Sequence, residues 1–383
     1  MAAAALFNGK LNTSIVYKSL YNMIISVQTY VDNISKTNSA LVNMAKTEGS
    51  MYGDSLLRTA TDIVPIFDWK GDEEASNLLK LHRPQRPQQE RFVLDVFKMV
   101  PLTTDTFLSK QSWGDERAFA QFNSTVIAWM KDTRDIYEAS IFNTFIGTNE
   151  TDIGKQQLEI DVPAEPDGVD DYNTEAYNRI YAQTIAMEMA NLLVDLADYS
   201  RSYNDFENLR SYNTDDLIFV WNSEYVNKIT KMDTPNLFHK EGLVDKLGEY
   251  VLPARFFGTI NTEGGTTPSS NDSIRSLICK DFNAEGVEPS SAEYNKKLLI
   301  QAGDLLPGGV AYGANETYTT DNTIAFKVYH KDSVPFLSAF NASSEFFNPR
   351  SQTSTKYLIF AHNHLTHSNN YPFITARVKY AAV

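Results

Sequence analysis

The sequence predicts an α+β fold built from one very long amphipathic helix, a long two-stranded ribbon and several C-terminal strands. In residues 111–147 apolar residues recur every three or four positions, which is the period of a helix with one buried face. From Tyr52 to Val100 the period changes to two, as it does in strands. Residues 324–383 contain short apolar runs that are typical of buried strands: TIAFKVYH, TKYLIFAHNH and ITARVKY.

The N-terminal segment 11–35 predicts another amphipathic helix, because its apolar residues fall on one face at helical spacing. These residues are Leu11, Ile15, Leu20, Ile24, Val27, Val31 and Ile34. The polar stretch NSALVNMAKTEGS follows and separates this helix from the ribbon.

The ribbon consists of two predicted strands, GDSLLRTATDIV and RFVLDVFKMV, joined by the charged, proline-containing residues 68–89. The apolar side chains of the second strand fall on two faces: Phe92, Leu94 and Val96 on one, Val93 and Phe97 on the other. The subunit's own core can cover only one of these faces. We therefore expect the ribbon to need a second chain as a neighbour.

The tip of the ribbon carries charges of both signs. Arg83 and Arg86 lie close in sequence to Asp72, Glu73 and Glu74. The arginines are suited to phosphate, but the nearby carboxylates favour a contact with another subunit. The residues predicted to contact a second subunit are Asp72, Glu73, Glu74, Arg83, Arg86 and Phe92.

The long helix has a clear beginning and end in the sequence. Ser112 provides an N-cap, Asp115 adds acidic character to the first turn, and Gly147 marks the C-terminal end. At about 1.5 Å per residue the helix spans roughly 50 Å. Its predicted buried stripe comprises Phe119, Phe122, Val126, Trp129, Met130, Ile136, Tyr137, Ile141 and Phe145. Because no strict heptad persists, this stripe predicts packing on a broad sheet rather than a coiled coil.

The middle of the chain predicts an acidic loop over residues 159–173, followed by a second long helix over 174–200. Apolar positions of that helix include Ile180, Met187, Leu193, Val194 and Ala197. The stretch DDLIFVWNSEYVNKIT then predicts a buried strand that passes through Asn222 and Ser223 into a short helix, a unit of an α/β layer. Residues 258–272 predict a surface loop, and SIRSLICKDF and KKLLIQA predict further strands.

Composition narrows the class of protein. With 383 residues and 43.2 kDa the chain is long enough for two or three subdomains around a sizeable core. Its net charge of −14 argues against a dedicated nucleic-acid-binding protein, which would carry a basic surface. The single cysteine, Cys279, excludes an intramolecular disulfide framework, and no apolar run reaches membrane-spanning length. We expect a soluble protein of a reducing compartment.

The strongest candidate for chemistry is the histidine cluster formed by His362, His364 and His367. Two histidines at the end of a strand can share a face and bind a metal, so a metal-dependent hydrolase is one hypothesis. The favoured interpretation is structural: His362 and His364 continue the face of Leu358 and Phe360, without an accompanying carboxylate pattern. We therefore predict no metal, no cofactor and no catalytic site.

Two other segments were weighed as binding sites. The glycine-rich stretch 305–316 lacks the Lys-Ser/Thr that a phosphate-binding loop requires. The acidic residues 159–175 do not have the spacing of a calcium-binding loop. Both are predicted to be ordinary loops.

Four stretches carry a resemblance to a known family. They are GDSLLRTATDI with DWKGDEEASNLLKLHRPQRP, TTDTFLSKQSWGDERAFAQFNSTVIAWMKDTRDIYEASIFN, DDLIFVWNSEYVNKIT, and FNPRSQTSTKYLIFAHNHLTHSNNYPFITARV. In their order and wording they resemble tailed-phage major capsid proteins of the Hong Kong 97-type fold, and most of all those of small podoviruses with picovirus-type heads. The resemblance covers most of 50–255 and 324–380.

The resemblance implies a domain organisation. It predicts an N-terminal arm, an extended loop laid over the neighbouring subunit, a peripheral domain whose long spine helix lies on a sheet, and an α/β axial domain around the symmetry axes. The boundaries are 1–51 for the arm, 52–105 for the extended loop, 106–198 for the peripheral domain, 199–323 for the axial domain and 324–383 for the peripheral return strands. The spine-helix residues Phe119 to Phe145 are predicted to pack on strands such as TKYLIFA and ITARVKY.

The resemblance also implies a function without catalysis. Many copies are expected to assemble into the hexamers and pentamers of an icosahedral phage head that encloses double-stranded DNA non-specifically. A separate scaffolding protein and a portal protein are implied as partners, with assembly in the host cytoplasm and the virion as final location. An encapsulin-type bacterial compartment, which shares this fold, is the main alternative, and the hydrolase at His362, His364 and His367 is the enzymatic one.

Overall fold

The computed structural model describes residues 39–48, 55–66, 81, 83–105, 116–150, 156–162, 175–230, 248–261 and 317–380. Within these ranges the helices are α1 (Ala40–Ala45), α2 (Glu116–Gly147), α3 (Glu175–Ala197) and α4 (Ser223–Thr230). The strands are β1 (Lys46–Glu48), β2 (Ser55–Ala60), β3 (Gln88–Asp105), β4 (Thr148–Glu150), β5 (Gln157–Val162), β6 (Leu217–Asn222), β7 (Gly248–Leu252), β8 (Gly258–Asn261), β9 (Thr317–Thr320), β10 (Ile324–His330), β11 (Phe336–Asn348), β12 (Thr353–Asn363) and β13 (Phe373–Tyr380).

The chain divides into two compact units. The first unit comprises Met1–Asp54, Leu94–Phe142 and Leu337–His362, and the second comprises Ser55–Val93, Asn143–Phe336 and Asn363–Val383. Residues 324–336 and 363–383 thus fall in the second unit, together with β6 of the predicted axial domain. The assignment of peripheral and axial domains to the chain stays a prediction.

In the first unit, the long helix α2 packs against β12. Met130 and Leu358 are buried together, with Val100, Leu102 and the half-buried Trp129 packed around them. This contact confirms the predicted packing of the spine helix on the strand TKYLIFA. The strands of this unit lie in the order β1-β11-β12-β3.

A charged group fixes α2 to its surroundings in the same unit. The buried carboxylate of Glu138 accepts a hydrogen bond from Arg134 Nε at 2.7 Å and one from Lys46 Nζ at 2.9 Å. The Arg134 guanidinium also donates to Ser338 Oγ and lies 5.5 Å from the centre of the Phe360 ring. A buried carboxylate with two cationic partners fixes the rotation of the helix about its axis.

The predicted stripe of α2 is only partly a buried core. Trp129 and Tyr137 are half-buried, whereas Phe145 is buried and stacks on Phe373 of the second unit's β13 at 5.7 Å. The side chains of Phe119 and Phe122, like that of Val126, lie outside the described residues, as do Ser112 and Asp115. The fully buried residues cluster at the C-terminal end of the helix: Ile141, Phe142 and Ile146.

Gly147 ends α2 for a reason that differs from the one predicted. A Cβ atom at this position would lie 2.1 Å from the backbone oxygen of Phe256, in the second unit to which both residues belong. The backbone is still helical here. Glycine is therefore required by the close approach of a second backbone segment, and not by a left-handed C-terminal cap.

The second unit is built on a mixed five-stranded sheet of order β5-β13-β10-β6-β7. The outer pairs β5–β13 and β6–β7 are parallel, and the inner pairs β13–β10 and β10–β6 are antiparallel. Every residue of β6 and of β10 is buried, which explains why most residues in both segments of the sequence are apolar. The predicted strand–helix unit at Asn222 and Ser223 is confirmed by β6 and α4.

Helix α3 packs on this sheet through a face that includes Leu193 but none of the other apolar positions named from the sequence. The buried residues of α3 are Tyr181, Ala182, Ile185, Met189, Leu192, Leu193 and Leu196. Ile180, Met187 and Val194 are exposed on the opposite side. The helix carries apolar residues on both faces, so spacing alone could not identify the buried one.

Several strands lie where the sequence predicted none, and three of them are informative. β5 occupies the start of the predicted acidic loop, where Ile160 and Val162 are buried, and β8 occupies the start of the predicted loop 258–272. β11 was not predicted, because its sequence FLSAFNASSEFFN lacks alternation and is rich in residues of low strand propensity. Pairing with β12 over most of its length stabilises it instead.

Some predictions concern residues that the structure does not describe. Residues 11–35, Cys279 and the stretches SIRSLICKDF, KKLLIQA and 305–316 lie outside the described residues. Within the described ranges, no helix is long and apolar enough to cross a membrane.

Candidate assembly surface

The ribbon predicted from the sequence is confirmed by β2 and β3. The two strands pair antiparallel in a continuous register from Ser55 opposite Val93 to Ala60 opposite Gln88. β3 continues to Asp105, so its total length is 18 residues. Near its end, Thr104 Oγ1 donates to the backbone oxygen of Ser354 of β12 within the first unit.

The side chains of β3 alternate between a covered and an exposed face, as predicted. Phe92 and Val96 are both 7% exposed, whereas Val93, Phe97 and Met99 are 40%, 63% and 51% exposed. Leu57 of β2 lies opposite Arg91, on the same side as Val93, and is 58% exposed. We call Phe97 and Met99, which belong to the first unit, the outer face of the ribbon.

Phe92 was predicted to contact a second subunit, and the structure corrects this prediction. Its ring is buried on the covered face, and the guanidinium carbon of Arg58 lies 5.7 Å from the ring centre. The same guanidinium lies 5.8 Å from the ring centre of Tyr371. Alternation along the strand places the exposed apolar surface at Val93 and Phe97 instead.

The ends of the two strands are held by polar contacts within the second unit. We call Arg58, Thr61, Asp62, Gln88 and Glu90 the ribbon root. Hydrogen bonds join the root to residues 200–210, 332 and 368–369, and each of its five members takes part. The bonds are Arg201 to Asp62 at 2.7 Å, the Leu209 amide to Asp62 at 3.0 Å, Arg210 to the Thr61 carbonyl at 2.5 Å, Asn208 to Gln88 at 3.0 Å, Ser368 to Glu90 at 2.6 Å, the Asn369 amide to Glu90 at 2.5 Å, and Arg58 to the Asp332 carbonyl.

Asp62 is the most strongly perturbed group of the root. The hydrogen bond from Arg201 lowers the pKa of Asp62 to about 2, with a further contribution from the Leu209 amide. Both partners stabilise the charged form of the carboxylate. Asp62 therefore remains ionised throughout the neutral and mildly acidic range.

A polar cavity of about 270 Å³ lies beside the root. Its lining includes Arg58, Glu90 and Asp332, together with Ser368 and Tyr371. Both oxygens of Glu90 accept hydrogen bonds, and Arg58 donates to the Asp332 backbone. These charged groups thus act as positioning contacts for the ribbon.

The charged tip is described only in part. Arg83 and Arg86 are exposed, in a stretch without helix or strand structure. Asp72, Glu73 and Glu74 lie outside the described residues. Contact of these five residues with a second subunit stays a prediction.

The three histidines have separate environments. His362 continues the buried face of Leu358 and Phe360, as predicted, and its Nε2 lies 3.3 Å from the hydroxyl of Tyr137. His364 follows the end of β12, beyond the strand that was predicted to include it.

His367 belongs to the second unit. Its Nε2 lies 3.0 Å from Oδ2 of Asp205, and its ring stacks on Phe373 at 5.4 Å. In the part of the chain that the structure describes, no three His, Cys, Asp or Glu side chains form a group that could bind a metal. The contacts of His362 and His367 are those of residues that stabilise a fold.

Comparison with known proteins identifies the fold. No protein-family model and no curated protein sequence matches this chain. Among solved structures, it is similar to the capsid structure of Staphylococcus phage Andhra, with 10% identity and a TM-score of 0.55 over 88% of this chain and 83% of that chain. It is also similar to the structure of head fiber and inner core protein gp22 of native bacteriophage P68, with 12% identity, a TM-score of 0.55 and the same coverage of 88% and 83%. The chain has the Hong Kong 97-type fold of tailed-phage capsids.

The Hong Kong 97-type fold has an extended loop and a spine helix, and the assignment of these two parts to the β2–β3 ribbon and to α2 stays a prediction. The predicted resemblance to tailed-phage major capsid proteins is confirmed at the level of the fold. The finer likeness to small podoviruses with picovirus-type heads stays a prediction.

Sequence reasoning missed the ribbon root. One signal was available: Arg58 and Glu90 are opposite charges on the covered face of two predicted strands, where apolar residues are expected. The partners of the root come from residues 200–210, 332 and 368–369, which no local pattern connects to the ribbon.

Proposed function

We propose that this chain is a major capsid protein, whose copies assemble into the hexamers and pentamers of an icosahedral phage head around double-stranded DNA. The observation that carries the proposal is the exposed apolar outer face of the ribbon. Phe97 and Met99 form this face within the first unit, where Val96 on the opposite side of the strand is buried.

An apolar strand face of this kind needs a regular partner. Left exposed on a ribbon, it would promote irregular strand pairing and aggregation. A neighbouring copy that covers it makes a heterologous contact, and such contacts close into rings around symmetry axes. Each interface is expected to bury about 1,200–2,000 Å², so the stability of a shell comes from the number of its contacts.

The charges of the chain fit the same proposal. The opposite charges at the tip, Arg83 and Arg86 against Asp72 to Glu74, would set the register of the loop on its neighbour. A net charge of −14 suits a shell wall that encloses DNA without binding it tightly. A separate scaffolding protein and a portal protein complete the proposed partners, and association takes the place of catalysis.

The outer face can be tested without disturbing the subunit. In the variant Phe97→Ser with Met99→Ser the replaced side chains are more than half exposed, so the subunit should keep its circular dichroism spectrum and a thermal midpoint close to that of wild type. We expect it to fail to form closed particles when it is co-expressed with the scaffolding protein, as measured by sedimentation and electron microscopy. Val251→Ser is a matched control, because Val251 and Met99 are 52% and 51% exposed. Normal shells from the double variant would contradict the assembly role of the ribbon.

The tip is tested by charge reversal. Arg83→Glu with Arg86→Glu should reduce the yield of particles and leave the folded subunit unchanged, because both side chains are exposed. Restoration of assembly by Asp72→Lys, Glu73→Lys and Glu74→Lys in the same chain would identify the carboxylates as the partners. Electron microscopy of the particles also checks their contents: a portal vertex and DNA are expected, and enclosed protein cargo would contradict the phage-head proposal.

A further inference from the structure

Helix α3 carries an exposed apolar stripe on the side opposite to its buried face. Ile180, Met187 and Val194 are 50%, 59% and 64% exposed. They are seven residues apart, so they form one line along the helix over about 21 Å. The sheet of the second unit already covers the other face through residues such as Ile185 and Leu196.

The two flanks of this stripe differ in chemistry. On one side lie the carboxylates Glu188, Asp195 and Asp198, and on the other lie the small residues Ala190 and Ala197. We call the stripe and its flanks the outer face of α3. Asp195 accepts a hydrogen bond from Tyr203 Oη at 3.4 Å, and Asp198 accepts one from the Tyr199 amide at 2.7 Å, and neither bond neutralises the charge.

This pattern fits a helix as partner. The seam of a helix–helix pair has two positions in every seven residues, spaced three and four apart. Ile180, Met187 and Val194 occupy one of these positions, and Gln183, Ala190 and Ala197 occupy the other. The alanines allow the two backbones to approach closely, and charges beside the seam select the partner. A strand or an irregular segment would match neither the repeat nor the flanks.

A second copy of the same helix fits less well. In an antiparallel pair related by a two-fold axis between the helices, each flank meets its own copy. In a parallel pair the acidic flank would face the alanines, which supply no cation, and in the antiparallel pair it would face the acidic flank of the other chain. Like charges at this distance disfavour the antiparallel pair, and the net charge of −14 on each chain adds to the repulsion.

We infer that the outer face of α3 is a docking site for an amphipathic helix of a separate protein, with apolar residues in a heptad repeat and lysine or arginine along one flank. The apolar seam supplies affinity, and the acidic flank supplies selectivity and orientation. This inference does not depend on the proposed shell, because the site is complete on one free subunit.

The experiment uses the purified full chain and two synthetic helical peptides of about three heptads. Both carry leucine along the seam, and they differ only in having lysine or glutamate along one flank. Binding is measured by fluorescence anisotropy at two salt concentrations. We expect the lysine peptide to bind wild type at least tenfold more tightly than the glutamate peptide does.

Two variants separate the seam from general attraction between opposite charges. Met187→Glu adds a negative charge but interrupts the seam, so binding of the lysine peptide should fall about tenfold. The triple change Glu188→Lys, Asp195→Lys and Asp198→Lys should reverse the preference in favour of the glutamate peptide. All four positions lie on the outer face, so circular dichroism should show an unchanged subunit, and Tyr199→Ser serves as the control for an exposed neighbouring residue.

Each other outcome would overturn the inference. Unchanged or stronger binding to the Met187→Glu variant would mean that charge alone attracts the peptide. Equal binding of both peptides to wild type, or of neither, would remove the docking site. Reversible self-association of wild type that Met187→Glu abolishes would assign the face to a second copy. Binding that begins only after residues 1–38 are removed would assign it to the chain's own N-terminal segment.

Discussion

The chain contains two kinds of strand that differ in how they are covered. Strands β6 and β10 belong to the second unit, and strand β3 belongs to the ribbon. All residues of β6 and β10 are buried, so both faces of these strands are covered within one chain. In β3 the residues alternate, with Phe92 and Val96 covered and Phe97 and Met99 exposed. A strand covered on both sides stabilises the subunit, whereas a strand covered on one side keeps an apolar face available to another molecule.

The largest expected effect is a cavity in the doubly covered sheet. Phe219 is fully buried in β6, and its ring centre lies 6.1 Å from that of Phe326 in β10. Phe219→Ala should lower the free energy of unfolding by about 3–5 kcal/mol, as large-to-small core changes do. Chemical denaturation measures this loss. A change below about 1 kcal/mol would mean that the sheet is not the source of subunit stability.

The next effect concerns a close backbone contact in the same unit. In Gly147→Ala the new methyl group would overlap the Phe256 backbone oxygen, which cannot move as a flexible side chain would. We expect a loss of about 3 kcal/mol, typical of overpacking at a rigid site. The measurement is the midpoint of thermal unfolding of the variant, and Ile127→Ala at an exposed position of the helix is the control. An unchanged midpoint would show that the two backbone segments do not approach closely.

The same contrast explains which parts of the fold were predictable. β6 and β10 are largely apolar runs, LIFVWN and IAFKVYH, because most residues of a strand that is covered on both sides are apolar. The buried polar residues Asn222 and Lys327 donate hydrogen bonds to the backbone oxygens of Ile324 and Thr148. The ribbon was predictable for the opposite reason, since one covered face imposes strict alternation. β11 has neither pattern: its residues 343–348 are exposed on both sides, and their pairing with residues 353–358 of β12 holds them in the sheet.

The sequence predicted that the ribbon has two different faces, but it did not predict the polar contacts that attach the ribbon to the second unit. Alternation alone identifies Phe97 as outward, but it also placed Phe92 among the subunit contacts, where burial excludes it. The bonds of Glu90 to Ser368 and Asn369 join residues far apart in sequence. No periodic pattern records such a contact, because each partner is a common polar residue in its own segment.

A smaller effect is expected at the ribbon root. Glu90→Gln removes one charged acceptor and places an amide NH₂ group against the donors of Ser368 or Asn369. The loss should be about 1–2 kcal/mol, the range for one impaired hydrogen bond to a charged group. Hydrogen exchange should show faster opening of β2 and β3 and unchanged protection in β6. If β6 lost as much protection as β2 and β3, the contacts of Glu90 would not stabilise the ribbon separately from the sheet.

A fourth prediction concerns pH. Burial lowers the pKa of His330 below its usual 6.5, with smaller opposing contributions from Asp332 and Asp216 and supporting ones from Lys331 and Arg58. As pH falls below about 6.5, the unfolded chain therefore binds the proton before the folded chain does, and stability decreases. Above pH 6.5 this contribution is fully present.

The measurement is the free energy of unfolding at several pH values between 5 and 7.5. The Nδ1 atom of His330 accepts a hydrogen bond from the Asp332 amide at 3.1 Å, which only the unprotonated nitrogen can do. His330→Gln should therefore show a flatter pH dependence than wild type. Identical slopes for the two proteins would assign the acid sensitivity to other groups.

The smallest effect on the subunit is expected at the outer face of the ribbon, and here the comparison between the two kinds of strand is sharpest. Phe97 is 63% exposed, so Phe97→Ser removes few contacts within the chain and should change the free energy of unfolding by less than about 0.5 kcal/mol. The serine still suits an exposed strand position, and the covered residues Phe92 and Val96 remain in place. A loss of 2 kcal/mol or more would mean that the chain itself covers Phe97, and β3 would then resemble β6. We expect the variant to be about as stable as wild type and more soluble at high concentration. That result would indicate that the apolar face serves contact with another chain and contributes little to the folded monomer.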